Sequence, residues 1–206
     1  MRIIETDTDV AEGAAWLAAQ EPRFARVLPE LEPLPLRRRP DGFGQLLSAI
    51  MSQQVSVASA AAISKRLEEA GLTEEAAVAQ AHEEDLRACG LSRQKVRYAG
   101  ELARARIDYA ALRNAESAEV IKTLTAVPGI GTWTAEIYAM FSLGRADVFA
   151  PGDLALQIAT QHLFELDLRP NEKELRARAK DWSPWQSVAA RLLFAYYRTI
   201  KGREGL

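Results

Sequence analysis

Apolar residues recur at helical spacing along almost the whole chain, and this periodicity constrains the fold more than any other feature. From Phe43 to Leu67 the positions Leu46, Leu47, Ile50, Val57, Ala60, Ala61, Ile63 and Leu67 keep the interval of a buried helix face. Residues 10–20 do the same around Ala14, Trp16, Leu17 and Ala18. Strand signals are nearly absent: only Val148-Phe149 hints at extended chain, and it is too short for a sheet. The pattern predicts an all-α fold of about ten short helices. With 206 residues, 48% of them apolar, the chain can build one substantial core or two small lobes that share an interface. No apolar run approaches the roughly 20 residues needed to span a bilayer.

Punctuation divides the helices. Pro22, Pro29, Pro33, Pro35 and Pro40 predict a proline-rich connection. Ser52-Gln53-Gln54 breaks the 43–67 pattern into two helices joined by a short turn, and Gly71 and Gly90 stand where helices end. Ser92 and Ser117 are expected N-caps, and Asn171 with Glu174 has capping-box spacing. Ser183-Pro184 reads as an N-cap with proline at the first helical position, opening a last helix from about Pro184 to Ile200.

Composition removes several functional classes. Cys89 is the single cysteine, which excludes internal disulfides, cysteine-based zinc sites and a four-cysteine iron–sulfur cluster. His82 and His162 have no ligand spacing around them, so no transition-metal site is expected. The N-terminus lacks the apolar core of a signal peptide, which makes the cytoplasm the expected location, at the nucleoid in a bacterium. The net charge of −2 argues mildly against nucleic acid, yet the charges are segregated. Arg37, Arg38 and Arg39 cluster, and Arg93, Lys95, Arg97, Arg104 and Arg106 lie on or near one helix. Such groups, with Arg145, suit either phosphate contacts or surface ion pairs.

Chemistry concentrates after residue 117. Glu119 to Ala126 is predicted as one helix, Val127-Pro-Gly-Ile-Gly131 as a turn, and Thr132 to Leu143 as a second helix. Pro128 fixes its own φ, Gly129 and Gly131 permit positive φ or close approach, and Ile130 is the apolar peg between the helices. The N–H groups of Gly129, Gly131 and Thr132, with the start of the second helix, then face outward and suit a phosphate oxygen. A plain helix–turn–helix corner would carry the same glycines. Beyond it, Pro151-Gly-Asp153 precedes another helical pattern; Asp153 is a good N-cap and equally a placed carboxylate.

The hairpin, then Leu143-Gly-Arg-Ala-Asp-Val-Phe149 and Pro151-Gly-Asp153, resembles the helix-hairpin-helix DNA glycosylase superfamily, most nearly its 3-methyladenine DNA glycosylase II family. Ile50-Met-Ser-Gln-Gln-Val-Ser-Val-Ala58 upstream and Trp182-Ser-Pro-Trp-Gln-Ser187 downstream match further segments of those enzymes. The longer members' N-terminal β-rich domain has no counterpart here. The resemblance implies a two-lobed fold, with residues 1–42 and 134–206 forming one lobe and 43–133 the other. The hairpin (117–143) would lie at the junction, beside a DNA cleft. It implies a monomeric, monofunctional enzyme that flips alkylated purines such as 3-methyladenine or 7-methylguanine out of double-stranded DNA. Hydrolysis of the N-glycosidic bond would leave an abasic site.

Residue by residue, it assigns catalysis to Asp153, with Asp147 structural, and the base pocket to Trp133, Ile137 and Phe194. DNA backbone contacts fall to Gly129, Gly131, Thr132 and Thr134, and the gap left by the flipped base to Gln54. Carbonyls of Thr125, Val127 and Gly129 would surround a sodium or potassium ion; no other cofactor and no membrane partner is implied. Bifunctional relatives carry a lysine nucleophile where this chain has Trp133, so no lyase activity is expected. Two other classes stay open: a non-catalytic helix-hairpin-helix module, and a repair glycosylase for another lesion.

Overall fold

A computed structural model of the chain describes residues 1–204. Among them stand thirteen α-helices and no strand, with one isolated β-bridge between Ile3 and Arg145. The helices are α1 (Asp7–Gln20), α2 (Pro22–Leu31), α3 (Phe43–Met51), α4 (Val57–Glu69), α5 (Glu75–Gln80), α6 (Glu83–Ala88), α7 (Arg93–Arg104), α8 (Tyr109–Asn114), α9 (Ser117–Thr125), α10 (Thr132–Phe141), α11 (Leu154–Leu163), α12 (Glu172–Ala179) and α13 (Gln186–Glu204). The all-α class agrees with the periodicity. The count exceeds the expected ten because α5, α6 and α8 are six-residue helices, too short to show a period of their own. No helix among the described residues is long and apolar enough to cross a membrane.

Local chemistry explains most helix ends. Gly71 and Gly90 take φ of 67° and 96°, and the N–H groups of Leu72 and Leu91 reach back to the carbonyls of Leu67 and Leu86. Both are left-handed C-terminal caps of the kind glycine favours. Ser92 Oγ accepts from Lys95 N–H, and Asn171 and Glu174 close a reciprocal capping box at 2.9 and 3.0 Å. Asn171→Ala removes one half of that box, so a loss of about 1 kcal/mol, or roughly 2–4 °C in Tm, is expected in a thermal melt.

Three expectations are corrected. The proline-rich stretch contains a helix, α2: Pro22 sits at its first position, where no N–H is needed, and Pro29 falls near its end. Ser117 is the first residue of α9 rather than its cap, which is Glu116. The last helix begins at Gln186 because Trp185 N–H closes a turn on the Trp182 carbonyl.

Two units divide the chain: Met1–Arg38 with the chain from Ala139 onward, and Arg39–Tyr138. In the first, α11 packs along α13, which also meets α1 and α2. Trp182 anchors an aromatic cluster with Phe24, Phe149 and Phe164 at ring-centroid distances of 5.4, 5.3 and 6.0 Å. Gly13 of α1 passes so close that a Cβ would stand 2.7 Å from both Trp185 and Val188. The Trp-x-Pro-Trp-x-Ser segment is therefore core. Arg191 is fully buried; its guanidinium donates to the carbonyls of Leu36 and Ser187 and to Ser187 Oγ. In the second unit α7 packs against α3, α5 and α6, with Leu46, Ile50, Ala99 and Leu102 excluded from solvent. Tyr138 Oη accepts from Gly42 N–H at 2.7 Å, and burial pushes its phenol up to about 12.

Candidate functional site

Within the Arg39–Tyr138 unit, α9 and α10 are joined by the turn Ala126–Gly131. Ile130 is buried between them, and its N–H closes the turn on the Val127 carbonyl at 3.1 Å. The two glycines differ in role. Gly129 takes φ +95°, and a Cβ there would stand 2.4 Å from Tyr98 Cγ. Gly131 is exposed and a Cβ would meet nothing within 4 Å, so its backbone is open to a ligand. The Gly131 carbonyl accepts from Ala135 N–H, which makes Gly131 the N-terminal cap position of α10. The first N–H groups of that helix have no intrahelical acceptor, and the helix dipole adds partial positive charge there.

A cavity of about 760 Å³ runs from this turn to the α3–α4 turn, lined by Gln53, Gln54, Gly129, Gly131, Trp133 and Thr134 among others. Trp133 is 46% exposed at the start of α10, and Ile137 is half-buried one turn on. Thr132 is exposed, whereas the Thr134 side chain is buried and leaves only its backbone to offer. Met140 and Phe141, further along, are core. Gln54 is exposed with φ +56°, beside the exposed side chains Val55 and Val57. Arg145 is fully buried and so not presented to a phosphate, whereas Lys95, which donates to the Met51 carbonyl at 2.5 Å, also lines this cavity.

The hairpin carbonyls fit a hard monovalent cation in kind. Thr125 ends α9, so its carbonyl has no intrahelical donor. Val127 and Gly129 carbonyls each accept one hydrogen bond, from Ile130 N–H and from Gln53 Nε2 at 3.0 Å, and each oxygen keeps a second lone pair. Among the described residues no group of His, Cys, Asp and Glu is arranged to hold a metal ion.

In the other unit, Asp153 caps α11: its Oδ1 accepts from Ala155 N–H at 2.9 Å and Leu156 N–H at 3.2 Å. The carboxylate is half-buried and held by two backbone donors at the N-terminus of α11. Asp147 is exposed and accepts from Ser183 Oγ at 2.8 Å. Phe194 of α13 is half-buried, its ring 6.3 Å from that of Phe141. Arg37, at φ 54°, lays its guanidinium 4.9 Å from the Phe194 centroid. Sequence reasoning missed Arg37 at this ring and Gln53 and Tyr98 at the hairpin, for all three act through contacts far apart in the chain.

Residues 47–184, more than half of the chain, match the model of the HhH-GPD superfamily of base excision DNA repair proteins. The chain belongs to that family. Among solved structures, a DNA-3-methyladenine glycosidase from Bacillus halodurans superposes with a TM-score of 0.82 at 33% identity, over 98% of this chain and 95% of that one. DNA-3-methyladenine glycosylase 1 of Schizosaccharomyces pombe is 27% identical over 179 residues, 82% of this chain and 78% of its own. YfjP of Bacillus subtilis, also named for DNA-3-methyladenine glycosylase, is 31% identical over 121 residues, 57% of this chain, which spans only 42% of that longer protein. Membership in the HhH-GPD superfamily gives the hairpin and the capped aspartate a common context, since both lie inside the matched segment.

Proposed function

We propose that this HhH-GPD protein is a monofunctional DNA glycosylase that excises alkylated purines from double-stranded DNA by hydrolysing the N-glycosidic bond. The observation that carries this proposal is Asp153, a carboxylate fixed by two backbone N–H groups in a chain that also presents an open, glycine-lined helix N-terminus. The names of the relatives support the substrate class.

The division of labour follows from the chemistry. Hairpin amides at Gly129, Gly131 and Thr132 grip the backbone, and a sodium or potassium ion on the carbonyls of Thr125, Val127 and Gly129 would stiffen that turn. A base inside a duplex is inaccessible, so the nucleotide rotates out, and Gln54 fills the gap left in the stack. Trp133, Ile137 and Phe194 present apolar and aromatic surface to the base; a π face attracts a cationic alkylpurine. As the C1′–N bond breaks, its electron pair leaves with the base and positive charge develops on the sugar. Asp153 stabilises that oxocarbenium character more than it stabilises the neutral sugar. Water then adds to C1′, and Asp153 orients it and takes up its proton. An N3- or N7-alkylated purine already carries positive charge, so no strong general acid is needed.

Duplexes containing single 3-methyladenine, 7-methylguanine or ethenoadenine lesions test this directly. Release of a free modified base with an intact, alkali-labile strand is the expected product. Tight binding without release would instead mark a non-catalytic module. No protein–DNA adduct should form under borohydride, because Trp133 occupies the position where lyases carry an amine; a trapped adduct would overturn the monofunctional assignment. Affinity should also fall steeply with salt, as phosphate contacts release counterions.

A further inference from the structure

We propose that Gln53 is a positioning residue that ties the turn carrying Gln54 to the hairpin, so that gripping the phosphate and inserting into the base stack are mechanically one event. This rests on the role given to Gln54 above.

The turn between α3 and α4 contains a strained point. Gln54 has φ +56°, a left-handed conformation that disfavours side chains with a Cβ, and such residues persist only where surrounding contacts hold them. The holding contacts flank it. On one side the Met51 carbonyl accepts from Lys95 Nζ of α7, and Ser52 folds back on Ser48 through both its N–H, at 3.0 Å, and its hydroxyl, at 2.8 Å. On the other side Ser56 caps α4 by accepting from Ser59 N–H. Between them the Gln53 side chain leaves its own turn entirely. Its Nε2 donates to the Gly129 carbonyl at 3.0 Å, across 76 positions of sequence.

That acceptor does not slide. Gly129 is pressed against Tyr98, where even a Cβ would stand 2.4 Å from Cγ, and the Tyr98 hydroxyl accepts from Gln94 Nε2 at 2.7 Å. The Gly129 carbonyl that receives the Gln53 hydrogen bond is thus fixed to α7, two residues before Gly131, whose backbone faces solvent. Through this bond the position of Gln54 is set relative to a phosphate held by the hairpin. Without it, the strained turn can relax and Gln54 loses its register with the gripped strand.

The test is binding to a duplex and to a single strand carrying the same tetrahydrofuran abasic analogue, for Gln53→Ala, Gln53→Asn, Gln54→Ala and the double variant Gln53→Ala/Gln54→Ala. Asparagine keeps the amide but is one methylene too short to reach Gly129. Each single variant should lower duplex affinity about tenfold while single-strand affinity stays within about twofold, and the double variant should be no weaker than the weaker single. Equal losses on duplex and single strand would mean that Gln53 merely supports the hairpin, and would overturn the coupling. So would additive losses in the double variant, or duplex affinity unchanged for both Gln53 variants while Gln54→Ala is impaired. Unchanged duplex affinity in Gln54→Ala would remove the stack-filling role of Gln54 and the coupling with it.

Discussion

Asp153→Asn is expected to abolish base release while leaving the fold and DNA affinity in place. Asparagine is as good an N-cap as aspartate, because its amide oxygen accepts the same backbone hydrogen bonds. The donors from Ala155 and Leu156 therefore remain satisfied at the start of α11, and Tm should move by less than about 2 °C. What disappears is the negative charge that the proposed mechanism sets beside the developing sugar cation. Removal of one preorganised electrostatic group costs a factor of about 100–1000 in rate, and single-turnover excision should fall by at least that much. Asp147→Asn is the matched control: it also removes one carboxylate charge, but from a side chain that accepts from Ser183, and its excision rate should stay near wild type. Equal losses in both variants would remove the special role of Asp153.

Substitution of the two hairpin glycines should separate stability from binding. At Gly129 an alanine methyl meets Tyr98 at a distance no real Cβ adopts, and φ +95° is itself hostile to a side chain. Together these cost at least about 2 kcal/mol, a fall of roughly 4–8 °C in Tm, with DNA binding lost as the turn shifts. At Gly131 the methyl enters open space, so Gly131→Ala should melt like wild type. Yet the added methyl stands where the backbone would meet a phosphate, and affinity for duplex DNA should drop about tenfold. If Gly131→Ala binds normally, the hairpin does not hold the backbone through that amide.

Helix positions were legible because burial imposes a period of 3.6, and ends were legible wherever a cap residue carries its own chemistry, as at Gly71, Gly90, Ser92 and Asn171. α2 was hidden because proline signals interruption, yet Pro22 occupies the tolerated first position and Pro29 lies inside the helix only near its end. At Glu165 a left-handed residue closes α11 without glycine (φ 53°), so nothing in its identity announces the turn. Arg145 and Arg191 mislead in another way: charge usually marks surface, yet both are fully buried. At the site, the hairpin and Asp153 stood out because the roles proposed for them coincide with local backbone demands, a glycine turn and a helix cap. Gln53 did not, since its one informative contact lies on a different element and no local pattern encodes it.

The division of the chain also orders its assembly. Arg39–Tyr138 is continuous, so its core forms by closing loops of at most about a hundred residues. The other unit is discontinuous: residues 1–38 must wait through the synthesis of that whole insert before α11 and α13 exist to receive them. Its closing contacts therefore span more of the sequence and carry a larger loop-closure entropy, so it is expected to fold more slowly than the insert, which hydrogen exchange during refolding would show. Until α13 arrives, α1 lacks the Trp185 and Val188 surface against which Gly13 packs, so this step is expected to be the aggregation-sensitive stage of folding.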